Sequence, residues 1–161
     1  MPASLIDHSE DLQVVKYQRG GHYHAHYDST VAGDSKEKRC CGKFEDKEKK
    51  TCLMCRYITI LLFLNNVTEG GETAFPVADR EDLFTGKNFS SNLSRSCEKA
   101  SLVMKPVKGS ALFWYNNELD EESGKMGEVD MLSLHGGCDV IKGEKWIANL
   151  WINAPRADQT V

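Results

Sequence analysis

Short stretches of this chain alternate apolar and polar residues, and long polar runs separate them. Leu12-Gln-Val-Val-Lys-Tyr17 has the period of a half-buried strand and stops at the Gly20-Gly21 turn. His22 to Asp28 continues as a second strand. Tyr57 to Leu64 is β-branched and aromatic, the composition of a buried strand. Gly70-Gly71 turns the chain into a short strand, Glu72 to Phe75, which Pro76 stops. Further strands are predicted at 110–115, 131–135, 138–142 and 145–153. Polar loops are predicted at 29–55, 77–101 and 116–130. No repeat and no amphipathic helix interrupts this pattern. Many short strands joined by turns predict an all-β barrel or sandwich. The three loops are longer than a plain sandwich needs, which marks them as functional or disordered, and 29–55 and 116–130 as candidate substrate lids.

Composition narrows the classes. The chain has 161 residues, 40% hydrophobic and 27% charged, enough for one domain with a real core. The apolar run from Ile58 to Leu64 is too short to cross a bilayer. Lys and Arg number 20 against 24 Asp and Glu, so the basic surplus of a nucleic-acid binder is missing and no nucleic-acid partner is expected. There is no glycine-rich phosphate loop. The charge run between Asp34 and Lys50 reads as a solvated loop. The carboxylates of 116–130 lack the spacing of a calcium loop.

Six cysteines, at 40, 41, 52, 55, 97 and 138, allow up to three disulfides. Cys52-x-x-Cys55 would be half a zinc site, but no second half follows at zinc-finger spacing. Sequons occur at Asn66, Asn88 and Asn92; the last two lie in a polar stretch suited to glycans. Cysteines and sequons together suggest the secretory pathway, although the first residues contain no apolar signal region.

The candidate chemistry lies in His22-Tyr-His24-Ala-His26-Tyr-Asp28. Alternation on a strand would turn His22, His24, His26 and Asp28 to one face. A His-x-Asp pair with a distant histidine is the ligand set of the 2-His-1-carboxylate triad, which leaves positions open on Fe(II). His135, in Ser-Leu-His-Gly-Gly, is the candidate for that distant ligand. A single strand histidine is ordinarily structural, but four buried titratable groups without a metal would be costly. Spacing leaves His24-x-His26 and His26-x-Asp28 equally open as the pair. Lys145 opens Lys-Trp-Ile-Ala-Asn-Leu-Trp151 and would share a face with Asn149 and Trp151. A lysine in that setting suits a carboxylate anion, although it could also begin the strand at its solvent edge.

Taken in order, Leu12–Tyr17, Gly20–Asp28, Arg56-Tyr-Ile-Thr-Ile-Leu, Gly70-Gly-Glu-Thr-Ala-Phe-Pro76, His135 and Lys145–Trp151 resemble the catalytic domain of prolyl 4-hydroxylases. These are Fe(II)/2-oxoglutarate dioxygenases with a double-stranded β-helix (jelly-roll, cupin-like) core. The stretches Gly-Gly-His-Tyr-His-Ala-His, Asn65–Thr68, Pro76–Asp79 and Ser133–Cys138 are most similar to the family's transmembrane branch in the endoplasmic reticulum. The resemblance implies a dioxygenase domain at 12–154 between tails 1–11 and 155–161. It implies His26, Asp28 and His135 as iron ligands, and Lys145 as the partner of the distal carboxylate of 2-oxoglutarate. Tyr17, Thr59, Asn149 and Trp151 would line the cosubstrate pocket, and Tyr23 and Arg56 would face the substrate. The implied reaction is hydroxylation of peptidyl proline at C4, using O2 and converting 2-oxoglutarate to succinate, with ascorbate as reductant. The partner would be a proline-containing peptide or protein. The compartment would be the lumen of the endoplasmic reticulum, with membrane attachment only through a segment outside this chain. The family's helical lead-in is not found here, so a fragment lacking its supporting helices is the expectation. Two rival readings are a non-catalytic β-barrel that binds a peptide and retains the fold and possibly the metal, and a secreted disulfide-stabilised module with structural histidines.

Overall fold

A computed structural model describes residues 9–29, 56–79, 93, 97–119 and 126–153. The first sheet is built around β12 (Lys145–Asn153), which pairs antiparallel with β1 (Gln13–Tyr17) on one side and β3 (Arg56–Phe63) on the other; β7 (Ala111–Tyr115) follows β3. The second sheet runs β2 (Tyr23–His26), β10 (His135–Gly137), β5 (Thr73–Phe75), β6 (Leu102–Met104). Two ribbons complete the described strands: β4 (Glu69–Gly70) with β11 (Val140–Lys142), and β8 (Asn117–Leu119) with β9 (Met126–Val129).

Alternation decides what faces inward. Val15, Tyr17, Leu61, Phe63, Leu112, Trp114 and Ile147 form one apolar cluster under the first sheet. Ala25, Ala74, Leu93, Cys97, Ala100 and Cys138 form a second against the other sheet, closed by the Cys97–Cys138 disulfide. The sheets meet face to face where Phe75 of β5 packs edge-on against Trp114 of β7, 5.3 Å between ring centres. Two sheets of antiparallel strands closing on such a core form the double-stranded β-helix expected above.

Two backbone features aim the site residues. Between the pairs His135↔His26 and Gly137↔Tyr23, β2 carries one more residue than β10, a bulge that bends β2 beside His26. A Cβ on Gly136 would lie 2.6 Å from Leu93 Cδ1 and 2.8 Å from the Tyr23 carbonyl oxygen, so β10 approaches its neighbours this closely only with glycine there.

Several expectations change. Residues 116–130, read as a loop, contain the β8–β9 hairpin, with Asn117 opposite Val129. The run at 131–135 is not a strand: Met131–Ser133 is a 3₁₀ turn, because the Asp130 carboxylate accepts the Leu132 N–H at 2.8 Å and caps it, and extension begins at His135. β4 and β6 were not anticipated, and the strands at 22–28 and 138–142 are shorter than expected. No helix among the described residues is long and apolar enough to cross a membrane. On the outer face of the first sheet Val14, Phe113 and Tyr115 are about half exposed. Cys40, Cys41, Cys52, Cys55, Asn88, Asn92 and almost all of the 29–55 loop lie outside the described residues.

Candidate metal and cosubstrate site

His26 ends β2, Asp28 follows two residues later, and His135 opens the neighbouring strand β10, so the β2–β10 pairing brings the three together. One ligand atom from each lies within 4.8 Å of the others. The Asp28 Oδ1–His26 Nε2 distance is 3.5 Å and the Oδ2–His135 Nε2 distance is 3.6 Å. Both imidazoles are fixed from behind in the same way. Nδ1 of His26 meets the His24 carbonyl oxygen at 2.8 Å, and Nδ1 of His135 meets the Ser133 carbonyl oxygen at 2.8 Å. A carbonyl only accepts, so each Nδ1 carries a proton and each Nε2 is the nitrogen turned to the shared space.

Electrostatics agrees with that tautomer. Burial pushes the His135 imidazole down to about 4, against the opposing pull of Asp28, so it is neutral at pH 7. Burial alone would raise the Asp28 carboxyl. The His26 hydrogen bond, the nearby His135 ring and the Thr59 and Trp151 donors hold it far below the usual carboxylate range. Two imidazole nitrogens and one buried carboxylate oxygen suit a divalent first-row metal that keeps other positions open. The donor set therefore fits Fe(II).

Around this centre, the Thr59 hydroxyl donates to Asp28 Oδ2 at 2.6 Å and the Trp151 indole N–H donates to the same oxygen at 3.0 Å. Thr59 and Trp151 stand opposite each other on β3 and β12, which is why both reach one carboxylate. Trp114 packs edge-on against His135 at 4.6 Å, and Phe75 lies 5.6 Å from it.

Lys145 begins β12 on the interior face and is 3% exposed, which discards the solvent-edge alternative. Its ammonium donates to Thr73 Oγ1 at 3.3 Å and lies 5.8 Å from the Tyr17 ring and 5.7 Å from the Phe63 ring. Burial pushes its pKa down to about 8, against the influence of Glu72. A buried cation with a single hydroxyl partner among the described residues is electrostatically incomplete, and an anionic group would complete it. Burial, with a smaller contribution from Tyr23, raises the Tyr17 phenol, so it stays protonated. Asn149 lies on β12 between Lys145 and Trp151, partly buried.

Tyr23 stands at the rim, 53% exposed, with its ring edge-on to His26 at 4.5 Å. Arg56 is engaged rather than free. Its guanidinium makes a bidentate pair with Glu10 at 2.7 and 2.9 Å and lies 3.7 Å from the centre of the Trp151 ring. His22 and His24 are not among the clustered ligands: His22 Nδ1 sits 2.9 Å from Asp139 Oδ1, and the His24 ring packs edge-on against His22 at 5.1 Å. Four contributors were not anticipated. Thr73 lies within the Gly70–Pro76 stretch, where it had no expected role, whereas Trp114, Glu10 and Asn116, whose amide donates to Thr59 Oγ1 at 2.7 Å, act through side-chain partners that no spacing reveals.

The family model described as the 2OG-Fe(II) oxygenase superfamily matches residues 12–153. The chain is 46% identical to the transmembrane prolyl 4-hydroxylase of Mus musculus over 92% of its own length and 30% of that protein's. It is 38% identical to prolyl 4-hydroxylase 2 of Arabidopsis thaliana over 95% of its own length and 44% of the relative's. Among solved structures, the viral collagen prolyl hydroxylase of Paramecium Bursaria Chlorella virus-1, in its 2OG complex, superposes with a TM-score of 0.57 at 28% identity, covering 91% of this chain and 59% of the viral one. The chain thus spans less than half the length of these curated relatives. With this match across almost the whole chain, and a His-Asp-His cluster inside a double-stranded β-helix, the protein belongs to the 2OG-Fe(II) oxygenase superfamily.

Proposed function

We propose that this domain hydroxylates C4 of peptidyl proline while 2-oxoglutarate is decarboxylated to succinate. The observation that carries the reading is the convergence of His26, Asp28 and His135 within 4.8 Å, in a sheet pair whose buried Lys145 has no anionic hydrogen-bond partner among the described residues. His26 Nε2, Asp28 and His135 Nε2 are the groups that would hold Fe(II), which supplies the oxygen activation that no side chain here provides. Lys145 and the Thr73 hydroxyl would hold the distal carboxylate of 2-oxoglutarate, with Tyr17 closing the pocket and Asn149 and Trp151 on the same face. Burial of this interior excludes water from reactive species. Tyr23, exposed beside His26, and Arg56, against the Trp151 ring, would face the substrate. O2 would be the oxidant and ascorbate the reductant.

The substrate reading, a proline-containing peptide or protein, is supported by relatives named prolyl 4-hydroxylases. A location in the lumen of the endoplasmic reticulum is supported by the Cys97–Cys138 disulfide and by the similarity to a transmembrane relative.

The experiment is succinate formation coupled to a 16 Da gain on proline-rich peptides, with His135→Ala and Lys145→Ala beside the wild type. Equal molar yields of succinate and hydroxyproline, lost in the His135 variant and restored only at high 2-oxoglutarate in the Lys145 variant, are expected. Metal and 2-oxoglutarate binding without peptide-dependent succinate would instead assign the domain to binding.

A further inference from the structure

A buried hydrogen-bond relay reaches the metal-side carboxylate from β7, the edge strand of the first sheet. The Trp114 indole N–H donates to Asn116 Oδ1 at 2.8 Å. The Asn116 amide nitrogen donates to Thr59 Oγ1 at 2.7 Å. The Thr59 hydroxyl then donates to Asp28 Oδ2 at 2.6 Å. Asn116 is fully buried and Thr59 is 1% exposed. The backbone of Asn116 is also fixed at both ends: its N–H donates to the Tyr57 carbonyl, and its carbonyl accepts from Asp130, each at 2.9 Å.

The relay has only one possible direction, and donor chemistry sets it. An indole N–H can only donate, so the Asn116 side chain must present its oxygen to Trp114. Its NH2 is thereby turned to Thr59. A hydroxyl has one hydrogen, and Thr59 already accepts from Asn116, so that hydrogen goes to Asp28. With the Trp151 N–H on the same atom at 3.0 Å, both lone pairs of Oδ2 are engaged. Oδ1 is left facing His26 Nε2 at 3.5 Å.

We propose that Asn116 is a positioning residue: anchored by Trp114, it directs the Thr59 hydroxyl onto Asp28 Oδ2, so that Asp28 presents one oxygen, Oδ1, to the metal. The consequence is a count of coordination positions. A carboxylate free to swing can occupy two positions on a metal, and one held at Oδ2 occupies one, which keeps a further position open. The inference rests on the His26–Asp28–His135 reading of the metal centre. It adds a residue that makes no contact with metal or cosubstrate.

The test uses Co(II) alone as the probe, added to metal-free protein, with affinity and the visible absorption envelope as readouts. His135→Ala tests the centre itself: if it binds Co(II) as the wild type does, the centre is wrong, independently of Asn116. Asn116→Asp keeps shape and the Trp114 bond but can no longer donate to Thr59; the hydroxyl turns to the new carboxylate and Asp28 loses a donor. The expected result is a 10- to 100-fold weaker Co(II) affinity, of the order seen when partners of metal ligands are removed, and an altered absorption envelope. Asn117→Asp, the neighbouring buried amide outside the relay, is expected to change neither readout. Because both residues act along one path, Asn116→Asp made in a Thr59→Val background is expected to weaken Co(II) little further. Wild-type affinity and envelope in a folded Asn116→Asp protein would overturn the proposal, as would full additivity with Thr59→Val. If Asn116→Asp does not fold, Trp114→Phe removes the anchor that orients the amide and keeps a ring against His135. A severalfold loss of affinity with a changed envelope supports the proposal, and an unchanged site overturns it.

Discussion

The Trp151 ring joins two charges that never touch: Arg56 lies 3.7 Å above its centre, and its N–H donates to Asp28 Oδ2 at 3.0 Å. Arg56 is itself clamped by Glu10, whose backbone N–H donates to the Trp151 carbonyl at 2.8 Å. The chain entering β1 is thus tied to the strand that carries the ring. Trp151→Phe keeps a surface for Arg56 but removes the donor to Asp28. Metal affinity is expected to fall about tenfold, while the metal-free fold loses about 1 to 2 kcal/mol. Competition titration against a metal chelator and denaturant melts separate the two effects.

Lys145 gives the pH dependence a definite sign. Its folded pKa of about 8 lies below the ordinary lysine value of 10.5. Between those values the unfolded chain holds a proton that the folded chain has released, so this group makes stability rise with pH across that window. Lys145→Met is expected to be more stable than wild type at pH 7, by up to about 3 kcal/mol, with the difference closing toward pH 10.5. Denaturant midpoints of both proteins from pH 7 to 10.5 check this. A dicarboxylate bound at Lys145 needs the charged amine, so wild-type affinity for 2-oxoglutarate is expected to weaken above pH 8, with proton uptake on binding. Titration calorimetry in two buffers of different ionisation heat measures that uptake.

Much of this architecture was legible because it depends on local alternation. Alternation announces β1 and the two faces of β12, β-branched and aromatic composition announces β3, and β12 matches its expected bounds at both ends. The face carrying His22, His24, His26 and Asp28 was readable by alternation, but choosing His26 and Asp28 from it rested on the family resemblance, and the bulge in β2 depends on pairing with β10, more than 100 residues away. The turn at 131–133 was misread because Met131-Leu-Ser-Leu134 looks like a strand unless the Asp130 cap is known to form. Asn116 sits where an acidic loop seemed to begin, and an asparagine beside a run of carboxylates gives no sign of being fully buried. Its role depends on Trp114 and Thr59, which reach it only after β3 and β7 pair.

The disulfide closes a loop of 41 residues between Cys97 and Cys138, three positions beyond His135. Loop-closure entropy puts its contribution near 4 kcal/mol. The Cys97→Ser, Cys138→Ser double variant is expected to unfold at markedly lower denaturant. It should also bind metal more weakly, because Cys138 packs with Leu93 against the strand that carries His135. Chemical denaturation with and without reductant measures the first effect, and a metal titration of the variant measures the second.

Gly136 is the tightest point of that strand. Gly136→Ala would drive a methyl group to 2.6 Å from Leu93 Cδ1 and 2.8 Å from the Tyr23 carbonyl, and the latter is backbone that cannot turn aside. A loss of about 1 to 3 kcal/mol is expected. Adding Leu93→Ala should recover only the part due to Leu93. Melting temperatures of the three proteins decide it.

The place of β12 in its sheet also bears on how the protein is made. It is the last described strand to leave the ribosome, yet it lies between β1 and β3, both made long before. β1 waits through more than 120 residues of synthesis for its partner, and β3 exposes one hydrogen-bonding edge throughout. Contacts so distant along the chain make for slow folding and a long interval in which unpaired strands can associate with one another. A nascent chain arrested before Lys145 would hold neither Lys145 nor Trp151, so assembly of the sheet and completion of the pocket become a single late event.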